Sequence, residues 1–136
     1  MNCLVDTHYL IWSLCEPSRL GTPARRILDN PDILKLVSKV TFWEIALKYS
    51  IGKLKLTQTD PEGLLRAALS AGFTILDIDV MDLASFHRLP PVEGHKDPFD
   101  RLLVWQCIRH DLQFLSADSA VRAYVPLGLV PAVTPP

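Results

Sequence analysis

The sequence predicts an α/β fold in which a mainly parallel sheet is covered by helices on both faces. Short apolar runs that suit strands alternate along the chain with segments in which apolar residues recur at helical spacing. Parallel strands need long crossover connections, and helices supply them. Apolar residues form 49% of the 136 positions and extend along the whole chain, so we expect one domain over residues 1–136.

The first part of the chain is predicted to alternate strand and helix. An apolar run that ends at Asp6 indicates a strand, and the apolar residues after it are spaced as in a helix. Thr22 suits the N-cap of the next helix and Pro23 its first position, and Gly52 is typical of a helix end. The predicted elements are a strand at 3–5, helices at 9–14 and 22–28, a strand at 33–40 and a helix at 41–51.

The second part continues the alternation. A helix over residues 61–71 is closed by Gly72, and the segment from Pro90 to Lys96 lacks apolar periodicity and is assigned to a loop. Asp97 and Pro98 start the strongest helix, whose apolar residues predict deep packing against a sheet. The other predicted elements are a strand at 73–78, a helix at 80–87, a strand at 113–116, a short helix at 119–124 and an edge strand at 127–133.

The composition limits the classes of function. No apolar stretch reaches the roughly 18 residues of a membrane span, and no export signal is recognisable, so we expect a cytoplasmic protein without a membrane partner. The three cysteines lack paired spacing and sit in apolar segments, which indicates core packing in a reducing compartment. A formal net charge of −1 gives no global attraction for nucleic acid, so such a function must use local cations. The candidate cations are Lys48, Lys53, Lys55, Arg101 and Arg109.

Two aspartates follow predicted strands. Asp6 comes directly after the first strand, and Asp118 comes two residues after the strand that contains Phe114 and Leu115. In an open α/β sheet the ligand crevice lies beyond the carboxyl ends of the strands. We therefore expect neighbouring strands to bring these two carboxylates together.

Glu44 fits a structural role as well as a site. Thr41 and Glu44 have the spacing of a capping box, in which each side chain satisfies a free amide of the first helical turn. Glu44 and Lys48 are also spaced as a favourable i,i+4 ion pair.

The other acids have structural explanations too. Asp97 suits an N-cap with Pro98 in the first helical position, and Asp100 would favour the positive end of the helix dipole. Asp118 suits the N-cap of the short helix that follows it, and Asp6 suits a turn.

The combination of acids points to chemistry. Two ionised carboxylates at about 5 Å repel each other by roughly 3 kcal/mol in an effective dielectric of about 20, so a cluster of them needs a neutralising cation. Oxygen ligands suit Mg²⁺ or Mn²⁺, and such an ion can orient water and stabilise charge on a phosphoryl oxygen. This equipment fits phosphodiester hydrolysis. The predicted ligands are Asp6, Glu44, Asp100 and Asp118.

The sequence resembles the PIN-domain family over nearly its whole length, particularly the VapC-like toxins of bacterial and archaeal toxin–antitoxin pairs. The most specific motifs are residues 4–8, LVDTH, and residues 97–103, DPFDRLL, with Gln106 beyond them. Residues 41–45 and 116–118 supply the other two acids in the order of the family. By similarity, the acidic quartet is Asp6, Glu44, Asp100 and Asp118. Trp105 and Cys107 depart from the smaller residues expected after Leu103.

The resemblance implies a three-layer α/β/α sandwich, Mg²⁺ or Mn²⁺ as cofactor, and endonucleolytic cleavage of RNA. It also implies frequent homodimers and inhibition by a cognate antitoxin protein. Thr7, Asp97 and Ser116 are candidates to orient the ligands or a bound water. Isolated histidines without a spaced partner are poor ligand candidates, so all four, His8 and His95 among them, are left out of the site.

Other functions remain open. The main alternative is a catalytically inactive PIN-like module that binds RNA or a protein partner, which the presence of all four acids disfavours. An aspartate-based phosphohydrolase with Asp6 as nucleophile lacks the usual second aspartate two positions later, where His8 stands. Nucleotide-cofactor binding is disfavoured because neither a glycine-rich dinucleotide turn nor a phosphate-loop signature is present.

Overall fold

A sheet of five parallel strands forms the centre of the part of the chain that the structure describes. The computed structural model describes residues 2–133. The strands are β1 (Asn2–Val5), β2 (Leu34–Ser38), β3 (Thr74–Leu76), β4 (Gln113–Leu115) and β5 (Val130–Pro131). Their order across the sheet is β3-β2-β1-β4-β5, so the first strand lies in the middle. The edge strand predicted at 127–133 is present but shorter: β5 pairs with β4 in parallel over two residues only, and the chain before it, Ser119–Leu127, is a 3-10 segment.

Within the described residues, 2–133, six α-helices cover the sheet. They are α1 (Thr7–Cys15), α2 (Thr22–Leu28), α3 (Lys39–Ser50), α4 (Pro61–Ser70), α5 (Val80–Ala84) and α6 (Pro98–His110). Side chains that follow one another along β1 point to opposite faces of the sheet and so belong to two different cores. Leu4 packs with α6 residues on one face, while Cys3 and Val5 pack with residues of α1 to α4 on the other. Both faces of the sheet are therefore buried, and the predicted α/β sandwich is confirmed.

The boundary between β2 and α3 differs from the prediction. The strand ends at Ser38 instead of Val40, and the Ser38 side chain caps α3 by accepting a hydrogen bond from the Val40 amide at 3.2 Å. Thr41 thus lies inside the helix and cannot act as its N-cap. The predicted capping box between Thr41 and Glu44 is wrong because serine, a strong N-cap, already begins the helix three residues earlier.

Two smaller predictions also need correction. The N-cap of α2 is Gly21, whose carbonyl accepts from the Arg25 amide at 3.0 Å, and Thr22 is the first helical residue. The helix can begin one residue earlier because the amides of its first turn have no partner within the helix, so Pro23 loses nothing there. Cys15 is exposed at the end of α1, whereas Cys3 and Cys107 are buried as expected.

Helix α6 is fastened to the sheet by polar contacts as well as apolar ones. The Gln106 side chain accepts from Ser38 Oγ at 2.6 Å and donates to the Asp77 carbonyl at 3.2 Å. Trp105, one of the departures from the family pattern, donates its indole N–H to Ser85 Oγ at 3.1 Å. Cys107 fills the core below it. These contacts hold the second half of α6 against the end of β2, the segment that follows β3 and the end of α5.

No helix within residues 2–133 is long and apolar enough to cross a membrane.

Candidate metal centre

Asp6 and Asp118 emerge at the same edge of the sheet. Val5 lies opposite Leu115 in the parallel pairing of β1 and β4, so the residues that follow both strands are neighbours. Asp6 caps α1 by accepting from the Tyr9 amide at 2.8 Å, and Asp118 caps the 3-10 segment Ser119–Leu127 by accepting from the Ala120 amide at 2.9 Å. Asp118 therefore has the expected capping role, whereas Asp6, which was expected in a turn, also caps a helix, and both acids lie at the carboxyl edge.

Asp6 is held deep in the site. Its side chain is buried and accepts hydrogen bonds from the Tyr9 and Ala117 amides and from the Ser116 hydroxyl. Burial raises the pKa of the Asp6 carboxyl above its ordinary value, and these hydrogen bonds offset part of the rise.

The start of α6 supplies two more carboxylates. Asp97 is the N-cap and accepts from the amides of Phe99 at 2.8 Å and Asp100 at 3.3 Å. Pro98 takes the first helical position, as predicted. Asp100 lies in the first turn and lines a cavity of about 280 Å³ together with Asp6 and Asp118.

Glu44 approaches from α3 on the other side of Asp100. Its side chain is almost fully buried and accepts from Thr7 Oγ1 at 2.5 Å and from the Lys48 ammonium. Lys48 also lies 3.3 Å from Asp97 Oδ2, so one lysine bridges two acids. The expected i,i+4 pair between Glu44 and Lys48 is present, and it is now the sole structural explanation of the two that the sequence offered.

The acids form two overlapping groups of potential metal ligands. Within residues 2–133, Glu44, Asp97 and Asp100 each offer one oxygen within 4.8 Å of the others, and His95, Asp100 and Asp118 do the same with one nitrogen and two oxygens. Asp100 belongs to both groups. Asp6 belongs to neither, but it lines the same cavity as Asp100 and Asp118.

The charges around Asp100 are unbalanced. The pKa of its carboxyl is raised to about 7, first by burial and then by the negative charges of Asp97, Glu44 and Asp6, while Lys48 opposes the rise. A buried carboxylate surrounded by other carboxylates is stabilised by a cation that several of them share. The donor set, dominated by carboxylate oxygen, fits Mg²⁺ or Mn²⁺.

Like Lys48, both candidate arginines have structural partners. Arg109 donates to buried Asp82 at 2.6 Å, and Arg101 donates to the carbonyls of Leu89 and Pro90 at 3.0 and 2.9 Å. Lys53 lines a depression next to Glu44 and Lys48, and its side chain faces solvent.

His95 is a neighbour of the acids that sequence reasoning left out. It lies in the predicted loop before α6 and is buried, with Nε2 3.5 Å from Asp118 Oδ2 and 4.0 Å from Asp100 Oδ2. Its Nδ1 lies 2.6 Å from the Tyr124 hydroxyl. The sequence does carry one signal, since His95 stands two positions before Asp97 within the same motif region, but nothing in the sequence shows that this loop residue is buried.

Comparisons with known proteins agree with this architecture. The family model of the PIN domain matches residues 3–125. A chain of the VapBC2 complex from Rickettsia felis, bound to a DNA fragment from its promoter, matches with a TM-score of 0.68 and 14% identity over 96% of both chains. A chain of a toxin–antitoxin complex from Klebsiella pneumoniae matches with a TM-score of 0.60 and 20% identity over 97% of this chain and 98% of that one. At these identities the structural likeness shows the fold alone. No curated protein sequence gives a significant match.

Proposed function

This chain belongs to the PIN domain family, and we propose that it is a metal-dependent endoribonuclease that acts as the toxin of a toxin–antitoxin pair. The observation that carries the proposal is Asp100, a carboxylate shared by two ligand groups with its pKa raised to about 7 by burial and neighbouring acids. Such an arrangement costs stability unless a cation occupies it, so it favours a site built for chemistry over one built for folding.

Asp6, Glu44, Asp100 and Asp118 would hold Mg²⁺ or Mn²⁺. When bound, the ion supplies a polarised water and stabilises charge on a phosphoryl oxygen. The chain's own residues orient the ligands: Thr7 donates to Glu44, and Ser116 donates to Asp6 while its oxygen accepts from the Asp118 amide at 3.1 Å. Asp97 holds the first turn of α6, and thereby Asp100, in place.

RNA is the proposed substrate because its phosphates would match a cation beside the acids. Lys48 is already paired with Glu44 and Asp97, but exposed Lys53 lines the same depression and offers a local positive charge on a molecule whose net charge is −1. The resemblance to VapC-like toxins supports RNA over DNA.

An antitoxin and a second copy of the chain are the proposed protein partners. Both matched structures are toxin–antitoxin complexes. An apolar groove between α3, α5 and α6 would suit a partner, since Trp43 is 63% exposed there and stacks edge-on against Phe99 at 5.1 Å. We propose that the protein acts in the cytoplasm, where RNA and an antitoxin are both present.

The first experiment is cleavage of total RNA by purified protein with Mg²⁺, with Mn²⁺ and with a chelator. We expect cleavage that depends on the metal. Asp100→Asn should abolish it, while Asp32→Asn, in an exposed loop after α2, should leave it unchanged. Cleavage that persists in chelator or in Asp100→Asn would contradict the proposal, and RNA binding without cleavage would favour the inactive binding module.

A second comparison separates the two acids at the start of α6. Asp97→Asn should reduce cleavage only in part, by about tenfold, because asparagine is still a competent N-cap and Asp97 orients rather than provides the central ligand. Asp100→Asn removes the shared ligand itself. If Asp97→Asn were inactive and Asp100→Asn active, both as folded proteins, the two roles would be exchanged.

A further inference from the structure

The loop histidine beside the acids has a specific environment on each of its ring nitrogens. His95 is 6% exposed, and its Nδ1 contacts the Tyr124 hydroxyl, whereas Nε2 is buried without a hydrogen-bond partner among the described residues. We propose that His95 is a positioning residue of the metal centre, whose Nε2–H is directed at the carboxylate of Asp118 and which is not itself a metal ligand. Any effect of His95 on RNA cleavage rests on the proposed function, whereas the position of the hydrogen on the imidazole ring can be measured even if the protein is not a nuclease.

Arg101 sets the direction of the hydrogen bonds. Its Nε lies 3.4 Å from the Tyr124 hydroxyl oxygen. A guanidinium can only donate, so the tyrosine oxygen accepts from Arg101 and its own hydrogen is left for another acceptor. The acceptor within reach is Nδ1 of His95, at 2.6 Å. With Nδ1 accepting, the ring hydrogen of the neutral imidazole sits on Nε2.

The groups behind the histidine are themselves fixed. The Arg101 Nη2 donates to the carbonyls of Leu89 and Pro90, and its guanidinium lies 5.1 Å from the centre of the Phe86 ring. Tyr124 is fully buried and packs edge-on against the His95 ring at 5.3 Å. The imidazole therefore cannot turn over without breaking its contact with Tyr124.

Nε2 faces the most exposed acid of the site. The Asp118 side chain is 47% exposed, and its Oδ1 is already held by the Ala120 amide at 2.9 Å. Its Oδ2 lies 3.5 Å from His95 Nε2, which makes no hydrogen bond to it in this structure, so a hydrogen on Nε2 would attract the oxygen that Ala120 leaves free. Asp100 Oδ2 lies 4.0 Å from the same Nε2 atom. A hydrogen on Nε2 therefore also lowers the repulsion between the carboxylates of Asp118 and Asp100.

The opposite tautomer would give His95 a different role. If Nδ1 carried the hydrogen, Nε2 would offer a lone pair to a cation and His95 would be a nitrogen ligand. The Tyr124 hydroxyl would then accept from both Arg101 and His95, and no residue described by the structure would accept its hydrogen. Burial of an unsatisfied hydroxyl is costly, which favours the Nε2–H form.

The tautomer is tested by NMR on protein labelled with ¹⁵N-histidine. Long-range ¹⁵N–¹H correlations should show hydrogen on Nε2 of His95 in the metal-free protein and with Mg²⁺ present. In Tyr124→Phe the hydroxyl is gone, and we expect the two tautomers to mix. A His95 that carries its hydrogen on Nδ1 in the wild-type protein would overturn the proposal.

Electron-spin-echo spectroscopy of bound Mn²⁺ provides an independent test. The wild-type protein should show no coupling from a directly bound imidazole nitrogen. Such a coupling, lost in His95→Gln, would make His95 a ligand and overturn its role as a donor.

Mn²⁺ affinity then measures the positioning effect. His95→Gln keeps an amide donor at comparable reach, whereas His95→Leu keeps only the volume. We expect affinity to fall about tenfold in His95→Leu and to be largely retained in His95→Gln. Equal losses in both folded variants would contradict the inference. If the wild-type protein binds Mn²⁺ as described but cleaves no RNA, the proposed function fails while the role of His95 stands.

Discussion

At the scale of single residues, Glu44 shows how partners separate structural from functional explanations. The sequence offered a capping box with Thr41, and the structure removes it because Ser38 begins the helix. The remaining partners of Glu44 are Thr7 and Lys48, both directed at its carboxylate oxygens. These two contacts do not explain why Glu44 is buried next to other acids, and a metal site would explain it.

Glu44→Gln tests that explanation. The amide oxygen can still accept from Thr7, but the side chain no longer carries the charge that a cation needs, so cleavage should fall by more than about 100-fold. The loss of the Lys48 ion pair and the relief of repulsion from Asp97 and Asp100 oppose each other, and the free energy of unfolding should change by about 1 kcal/mol or less. Cleavage at limiting metal and thermal melting are measured together.

Glu62→Gln, on the exposed first turn of α4, is the matched control and should match the wild type in both measurements. Undiminished cleavage in Glu44→Gln would remove Glu44 from the site.

The position of a residue in the fold could be predicted where the residue stands next to regular structure, but not in the loop before α6. Asp6, Asp100 and Asp118 could be placed because each follows a strand or opens a helix, and those positions have a fixed geometry. His95 could not, because its side chain contacts Tyr124, which stands 29 positions later in another element.

At the scale of elements, the spacing of apolar residues and the glycines and prolines at their ends located the helices and strands. The exact boundaries depended on whether the strand or the helix claimed the residues between them. Val40 is apolar and β-branched, so it reads as the end of a strand, yet it is the second residue of α3 because the serine two positions earlier caps the helix. The segment predicted as one helix over 80–87 is α5 followed by a short 3-10 turn at 86–88. The spacing of apolar residues alone could not distinguish one continuous α-helix from a short α-helix followed by a 3-10 turn.

The contact between α5 and α6 leads to a prediction about pH. Asp82 is fully buried in the first turn of α5 and accepts from Arg109 at 2.6 Å and His110 at 2.8 Å. Burial raises the pKa of Asp82, but the Asp79 amide and His110 lower it by more, so the pKa lies below its ordinary value of 3.8. A carboxyl with a lowered pKa stabilises the fold at pH values above the ordinary one and loses this effect as the pH falls through the lowered pKa.

Asp82→Asn should therefore lower the free energy of unfolding by about 1–3 kcal/mol at neutral pH, because it leaves the Arg109 charge without its closest partner. The difference from the wild type should shrink as the pH falls below 3.8. Asp79→Asn is the control. Asparagine remains an N-cap, and the ion pair between Asp79 and Arg109, at 3.9 Å on the surface, is longer and more exposed than the pair between Asp82 and Arg109. Denaturant titrations at several pH values provide the measurement, and a difference that stays constant with pH would contradict the role given to Asp82.

At the scale of the whole molecule, the strand order brings distant acids together. The alternation of strands and helices predicted a parallel sheet, but it could not give the order β3-β2-β1-β4-β5. That order depends on which edge each crossover reaches, and it places the N-terminal strand between β2 and β4. The meeting of Asp6 with Asp118 was expected from their motifs, whereas the position of Glu44 beside Asp97 depends on how α3 packs on α6.

Metal binding should stabilise the whole fold. A cation at about 100 times its dissociation constant adds about 2.7 kcal/mol if it binds only the folded chain, which corresponds to a rise of roughly 10 °C in Tm for a domain of this size. Thermal melting with chelator and with increasing Mg²⁺ or Mn²⁺ measures the rise. Asp100→Asn should melt at the same temperature with and without metal, while Asp32→Asn should respond like the wild type. A rise of equal size in Asp100→Asn would place the ion elsewhere.

The central position of β1 also bears on how the protein is made. Asp6 contacts the Ala117 amide across 111 positions of sequence, and Asp6 itself donates its amide to the Leu115 carbonyl. During synthesis β1 leaves the ribosome before its β4 neighbour and Asp118, because the 111 positions between Asp6 and Ala117 must be translated in between. A nascent chain therefore cannot assemble the complete acidic site beside the ribosome's own RNA until translation of the domain is nearly finished.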